Sequence, residues 1–77
     1  MEELLAYLAG RLVDSPEDVR VARREGLSGE IVLELRVASA DVGKVIGKGG
    51  RIARALRTVV KASAVQTGRR VHVDIAD

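Results

Sequence analysis

Gly47-Lys48-Gly49-Gly50, a tetrapeptide with three glycines, has the residue types best suited to holding a ligand. Glycines have no Cβ atom, so the backbone can turn sharply and a sugar–phosphate strand can approach it closely. Backbone N–H groups at the start of a following helix, together with the helix dipole, favour an anion there. Lys48 adds a mobile positive charge, and Arg51 lies beside it. These residues predict a clamp for phosphate groups, and a plain turn between two helices is the alternative.

Two better-known glycine motifs do not fit this segment. A P-loop needs four residues between its first glycine and Gly-Lys, followed by Ser or Thr. Gly43 and Gly47 are separated by only three residues, and Gly49 stands where Ser or Thr would be. A dinucleotide fingerprint follows a strand, whereas this loop follows a predicted helix. A mononucleotide or dinucleotide site is therefore not indicated.

Catalytic and metal chemistry lack the residues they need. The chain has no Cys and a single His, His72, which excludes disulfides, thiol catalysis and metal sites built on Cys or several His. His72 and Asp74 share a predicted strand face, but no nucleophile motif accompanies them, so we interpret both as exposed strand residues. We expect no enzyme activity, no catalytic residue, no metal site and no cofactor.

Charge is distributed unevenly along the chain. Residues 1–41 carry nine acidic and five basic residues, and residues 42–77 carry two acidic and eight basic ones. The net charge of +2 therefore combines a negative segment with a positive segment that contains the glycine loop. A basic half on a small protein suggests a polyanionic partner, with a merely solvated helix face as the alternative. Tyr7 is the only aromatic residue, so a base-stacking platform is excluded.

Apolar spacing defines the elements that must position the loop. It predicts a helix over 3–13, strands over 19–25 and 30–38, a short helix over 40–46, a long helix over 51–67 and a strand over 70–76. Ser39 is the predicted N-cap of the short helix, and Asp41 lies in its first turn. Gly68 suits the end of the long helix, where a left-handed conformation is needed.

This order, αββααβ, predicts an α+β fold. The first two strands form an antiparallel hairpin, and the long helical connection makes the second and third parallel. A three-stranded mixed sheet should result, with three helices on one face and one domain over 1–77. With no long apolar run and an acidic start, we expect a soluble intracellular protein without membrane contact.

The same spacing predicts which helix residues are buried and which are exposed. On the long helix, one face should be buried and the other basic; the buried set is Ile52, Leu56, Val59 and Ser63, and the basic set is Arg51, Arg54, Arg57 and Lys61. Val60 and Val65 fall outside the buried set. Arg57 and Lys61 are expected to be solvated, and Arg69 and Arg70 to be solvated or secondary contacts. Tyr7 is expected to be half-buried.

The stretch from Asp41 to Ala53, with Val45-Ile46 before the loop and Arg51-Ile52 after it, resembles a KH domain of type II. Over the whole chain, the sequence is similar to the small single-KH proteins of bacteria called the KhpA family. A KH fold holds about four unpaired nucleotides, and its GXXG loop clamps their backbone. The resemblance therefore implies a non-catalytic protein that binds single-stranded RNA, with single-stranded DNA as a further possible ligand.

The resemblance also assigns site residues and partners. It makes Gly47, Lys48, Gly49 and Gly50 the backbone clamp. Val45, Ile46 and Ile52 become the floor of an apolar groove for the bases, or the core beneath it. From their position near the loop, Lys44, Arg51 and Arg54 are candidate phosphate contacts. The family further implies a cytoplasmic RNA chaperone or regulator that forms homodimers, partners a KhpB-like KH protein and affects cell shape. The alternative function is a dimerisation or scaffold protein in which RNA binding is weak or vestigial.

Overall fold

The structure, a computed structural model that describes residues 1–76, has three α-helices and three strands. The helices are α1 (Glu2–Gly10), α2 (Val42–Ile46) and α3 (Arg51–Ala64), and the strands are β1 (Arg20–Glu25), β2 (Ile31–Arg36) and β3 (Val71–Ile75). Short 3-10 turns precede β1 and α2, form the glycine loop and follow α3. The predicted order αββααβ is confirmed. Within residues 1–76, no helix is long and apolar enough to cross a membrane.

The strands form one mixed sheet in the order β1-β2-β3. β1 and β2 are antiparallel, with Val21 opposite Leu35, and a tight turn joins them, in which the Gly26 N–H donates to the Glu30 carbonyl at 2.7 Å. β2 and β3 are parallel, with Leu33 opposite Val73. The connection that contains α2, the glycine loop and α3 therefore returns the chain alongside β2, as predicted.

One apolar core joins the sheet to the helices. β2 contributes Ile31, Leu33 and Leu35 to it, and α1 contributes Leu5 and Ala9. The remaining core residues come from the other helices and β3: Val45, Leu56, Val60, Ala64, Val71 and Val73. Since α2 and α3 both insert core side chains, the glycine loop between them is attached at both ends to packed structure. The α+β fold with three helices and a three-stranded mixed sheet is confirmed.

The N-terminal helix and the start of the short helix differ from the predictions. α1 ends at Gly10 instead of residue 13, because glycine is a poor helix former and a turn follows it. Tyr7 is 62% exposed, since α1 buries Leu5 and Ala9 on its other side. Ser39 caps no helix: it lies exposed within a 3-10 turn without a side-chain cap hydrogen bond.

The buried face of α3 is rotated by about one residue from the predicted one. The helix buries Ala53, Leu56, Val60 and Ala64. Val60 is fully buried, whereas Val59 is 44% exposed, so the prediction was wrong for both. The reason is that alanines occupy two of the buried positions, and their small side chains contribute little to an apolar pattern. Val32 alternates with Ile31 and Leu33 along β2, which predicts a solvent-facing side chain, but only 7% of it is exposed, between its register partners Arg24 and His72.

Candidate nucleic-acid interface

The glycine loop is a single 3-10 turn between α2 and α3. Its turn is closed by the Gly50 N–H, which donates to the Gly47 carbonyl at 3.1 Å, and the Arg51 N–H donates to the Lys48 carbonyl. Gly47, Gly49 and Gly50 all have positive φ angles, of 76°, 64° and 78°. Lys48 and Gly49 form the exposed tip. The loop therefore presents backbone without side-chain cover, next to an α3 N-terminus that no side chain caps.

Gly47 is the most constrained position in this loop. Its φ of 76° and ψ of 174° fall in a region that is populated almost only by glycine. A Cβ atom at this position would lie 2.6 Å from Cγ1 and 2.9 Å from Cβ of Ile52, well inside van der Waals contact. At Gly49 and Gly50, by contrast, a Cβ would meet no heavy atom within 4 Å. The chain thus enters the loop at Gly47 in close contact with the first turn of α3.

Three basic side chains near the loop form no ion pair with the described residues. Lys48, Arg51 and Arg54 are exposed, and none of them belongs to the ion pairs found within residues 1–76. Arg57 is exposed, as predicted, and its Nε also donates to the Val73 carbonyl at 3.1 Å, which ties α3 to β3. Lys48, Arg51 and Arg54 therefore place unpaired positive charge at the loop end of α3.

The predicted apolar residues beside the loop have unequal exposure. Ile46 and Ile52 are half-buried and lie on the two sides of the loop, at the end of α2 and the start of α3. Val45 is fully buried and belongs to the core. Accessible apolar surface next to the loop therefore comes from the two isoleucines, while Val45 holds α2 against the core beneath them.

Lys44, one turn before the loop, is already paired in the structure. Its Nζ lies 3.1 Å from Oδ2 of Asp14 and 3.4 Å from Oδ1 of Asp41. Hydrogen bonds to Asp14 and Asp41 raise the pKa of Lys44 above its ordinary 10.5. Burial acts to raise the pKa of Asp41, but the backbone hydrogen bonds of Ser15 and Asp14 and the Lys44 ammonium outweigh it and lower that pKa. At neutral pH the lysine and the Asp41 carboxylate are thus both charged.

A groove between α1 and α3 was not found from the sequence. It has a volume of about 400 Å³ and an apolar lining, and Arg11 and Arg51 lie at its rim. The apolar residues that line it are Leu8, Leu12, Ile52, Ala55, Leu56 and Val59. Leu8 is on α1 and Leu12 is in the turn that follows it, so the shape of the groove depends on how α1 packs beside α3. Residue spacing did not indicate it, because Val59, which lines the groove, was predicted to be buried.

Comparisons of the sequence with known proteins give a consistent result. A family model described as the KH domain of KhpA and KhpB matches residues 2–75. The RNA-binding protein KhpA of Treponema pallidum is 57% identical over 99% of this chain and 94% of its own length. The proteins of the same name from Streptomyces coelicolor and Bacillus subtilis are 53% and 46% identical over 100% of this chain, and 92% and 94% of their own lengths are covered.

Solved structures support the same fold. A point variant of Era from Aquifex aeolicus, bound to GDP.AlF4-, superimposes with a TM-score of 0.67 at 19% identity. An Era complex with MgGDPNP and a segment of 16S ribosomal RNA gives a TM-score of 0.68 at 19% identity. Both alignments cover 96% of this chain but only 28% of the Era chain, so they show a shared fold alone.

The KH domain of KhpA and KhpB is non-catalytic, and this chain is no enzyme. From the family match and the identities to its relatives, the chain belongs to the KhpA/KhpB KH-domain family.

Proposed function

We propose that this protein binds single-stranded RNA, holding about four nucleotides, with the sugar–phosphate backbone over the glycine loop. The observation that carries the proposal is the loop itself: bare backbone at Gly47, Gly49 and Gly50 lies beside the free charge of Lys48. Relatives that are 46–57% identical are named RNA-binding proteins. The domain that acts is residues 1–77 as one unit.

In this proposal, charge and apolar surface have separate tasks. Lys48, Arg51 and Arg54 neutralise phosphates, since their charges are free within residues 1–76. Ile46 and Ile52 offer half-buried apolar surface for the bases, and this surface needs no aromatic side chain. Base identity would be read only weakly, because the apolar surface makes no directional contacts.

The biological setting is proposed from the family. A protein of this kind would work in the cytoplasm as an RNA chaperone or post-transcriptional regulator. It would act with a KhpB-like KH protein and through that partnership influence cell shape. Single-stranded DNA would compete for the same clamp, because the phosphate contacts do not involve the 2′-hydroxyl.

The salt dependence of RNA binding tests this mode. About three neutralised phosphates on a single strand give a slope near −2 for the logarithm of affinity against the logarithm of salt concentration. Fluorescence anisotropy with a labelled single-stranded oligonucleotide between 50 mM and 300 mM salt measures it, with the same sequence as a duplex for comparison. A slope near zero, or tighter binding of the duplex, would contradict the proposed clamp.

The groove between α1 and α3 supports homodimerisation as a second candidate function. Glu3, Tyr7 and Arg11 follow each other at four-residue steps, so they lie on one side of α1, and all three are exposed. Two copies that cross antiparallel at Tyr7 would place Glu3 of each copy opposite Arg11 of the other. This arrangement is isologous, as a two-fold dimer requires, and it would bring the partner helix to Arg11, which also lines the apolar groove.

Charge reversal tests that dimer. Arg11→Glu would replace two attractive pairs with two repulsive ones, so the dimer dissociation constant should rise about tenfold or more. The double variant Glu3→Arg with Arg11→Glu restores opposite charges and should return the constant to the wild-type value. Sedimentation equilibrium of the three proteins measures this. A monomeric wild type, or an Arg11→Glu variant that dimerises normally, would argue against this interface.

A further inference from the structure

Asp41 is the only polar or charged residue that is buried among the described residues, and it is 1% exposed. A buried carboxylate must be paired and hydrogen-bonded to be tolerated, so its partners show what it holds together. Its position is directly before α2, six residues ahead of the glycine loop. Neither the family match nor the proposed RNA contacts assign a role to this residue.

The partners of Asp41 come from two separate segments, the turn after α1 and the helix α2. The Ser15 backbone N–H donates to its Oδ2 at 3.1 Å, and this bond joins residues 26 positions apart. Lys44 Nζ lies 3.4 Å from its Oδ1 and 3.1 Å from Oδ2 of Asp14. The turn after α1 is thus fastened to α2 at two points, through a backbone hydrogen bond and through the lysine.

The charge of this cluster disfavours a direct phosphate contact by Lys44. Two carboxylates and one ammonium give it a net charge of −1, and the Asp14 side chain is 79% exposed. A phosphate that approached Lys44 would therefore meet an exposed carboxylate and would have to displace an existing ion pair. In this respect Lys44 differs from Arg51, which is exposed and unpaired within residues 1–76.

The contacts of Asp41 and Lys44 stabilise α2, a helix that is too short to be stable alone. α2 has only five residues, and an isolated helix of this length is unstable in water. The loop leaves directly from its C-terminal end, where the Gly47 N–H donates to the Gly43 carbonyl at 2.9 Å. Val45 anchors α2 in the core, and the Asp41 cluster anchors its N-terminal end.

We propose that Asp41 and Lys44 are positioning residues that fix the glycine loop through α2, and that Lys44 improves RNA binding without touching RNA. This inference rests on the proposed clamp for its effect on RNA, whereas its effect on the loop exists in the free protein. Removing the pairing lets α2 shift relative to the turn after α1. The loop amides then lose the arrangement that receives phosphate.

Lys44→Gln tests the inference, with Arg51→Gln as the matched loss of one positive charge. For Lys44→Gln we expect an RNA dissociation constant at least about fivefold higher, an unchanged salt slope, and shifted backbone amide resonances of residues 47–50 in the RNA-free protein. For Arg51→Gln we expect a slope that is less negative by about 0.7 and free-protein amide shifts confined to the immediate neighbours of residue 51. If Lys44→Gln behaves like Arg51→Gln, Lys44 is a phosphate contact and the inference is overturned.

Asp14→Asn adds a second test. The variant should change RNA affinity in opposite directions depending on whether Lys44 contacts phosphate or positions α2. The residue is exposed, so the variant should fold. If Lys44 contacted phosphate, removing a competing carboxylate would tighten RNA binding; if Lys44 anchors α2, binding weakens and the loop amides shift. Should wild-type protein fail to bind single-stranded RNA, the proposed function fails, but the amide comparison in the free protein still decides whether the anchor exists.

Discussion

Gly47→Ala is expected to lower the free energy of unfolding by about 3 kcal/mol, which is a large share of the total for a domain of this size. Two costs combine. The backbone at φ 76° and ψ 174° is nearly inaccessible to any residue with a Cβ, and that Cβ would overlap Ile52 at 2.6 Å and 2.9 Å. Relief requires the start of α3 to move, and α3 carries four buried residues. Thermal unfolding followed by circular dichroism should show a midpoint lower by roughly 15 °C.

Gly49→Ala is the matched control for this prediction. Gly49 also has a positive φ, of 64°, but a Cβ there would meet no heavy atom within 4 Å. Its cost is the left-handed conformation alone, about 1 kcal/mol. Equal stability losses for the two alanine variants would show that contact with Ile52 does not constrain the loop.

The sequence was sufficient to predict the order of the elements and the position of the loop. Alternating residues such as Ile31, Leu33 and Leu35 have a period of two that only a half-buried strand explains. The glycine cluster interrupts two helical patterns at a defined point, and Gly68 has the left-handed conformation predicted for the end of the long helix. These are local signals, and they do not depend on which elements pack together.

Features that depend on packing were not predictable in the same way. Lys44 is predicted as a phosphate contact from its place near the loop in sequence, and that place does not reveal its ion pair with the distant Asp14 at 3.1 Å. Asp41 was predicted from the helix dipole as a residue of the first turn of α2. Its burial and its bond with Ser15 come from the same long-range contact. The groove beside Val59 likewise exists only where two helices meet.

Lys48→Asp combined with Gly49→Asp should abolish RNA binding while the fold is retained. The double variant changes the charge of the exposed loop tip from +1 to −2 where the proposal places a phosphate backbone, so phosphate is repelled at the point of closest approach. We expect an affinity at least about 100-fold lower, since attractive contacts to phosphate are replaced by repulsive ones. Lys48 and Gly49 are both exposed, and a Cβ atom at Gly49 would meet no heavy atom within 4 Å, so the core is unaffected.

Glu25→Lys with Asp74→Lys is a control for general charge effects, because both carboxylates are exposed and lie on strands, outside the loop. The variant breaks their ion pairs with Arg69 and Arg24, which are exposed and therefore contribute little to stability. It adds positive charge outside the loop and should leave RNA affinity within about threefold of wild type, since salt screens exposed charges that do not contact the phosphates. A large gain in affinity from this control would point to general attraction by net charge instead of a local clamp.

The affinity of the Lys48→Asp/Gly49→Asp protein for a single-stranded RNA oligonucleotide, measured by anisotropy beside its circular dichroism spectrum and melting curve, tests the central claim most directly. The proposed clamp predicts a folded protein that no longer binds. A folded double variant that binds RNA as tightly as the wild type would contradict the claim that the glycine loop holds the RNA backbone.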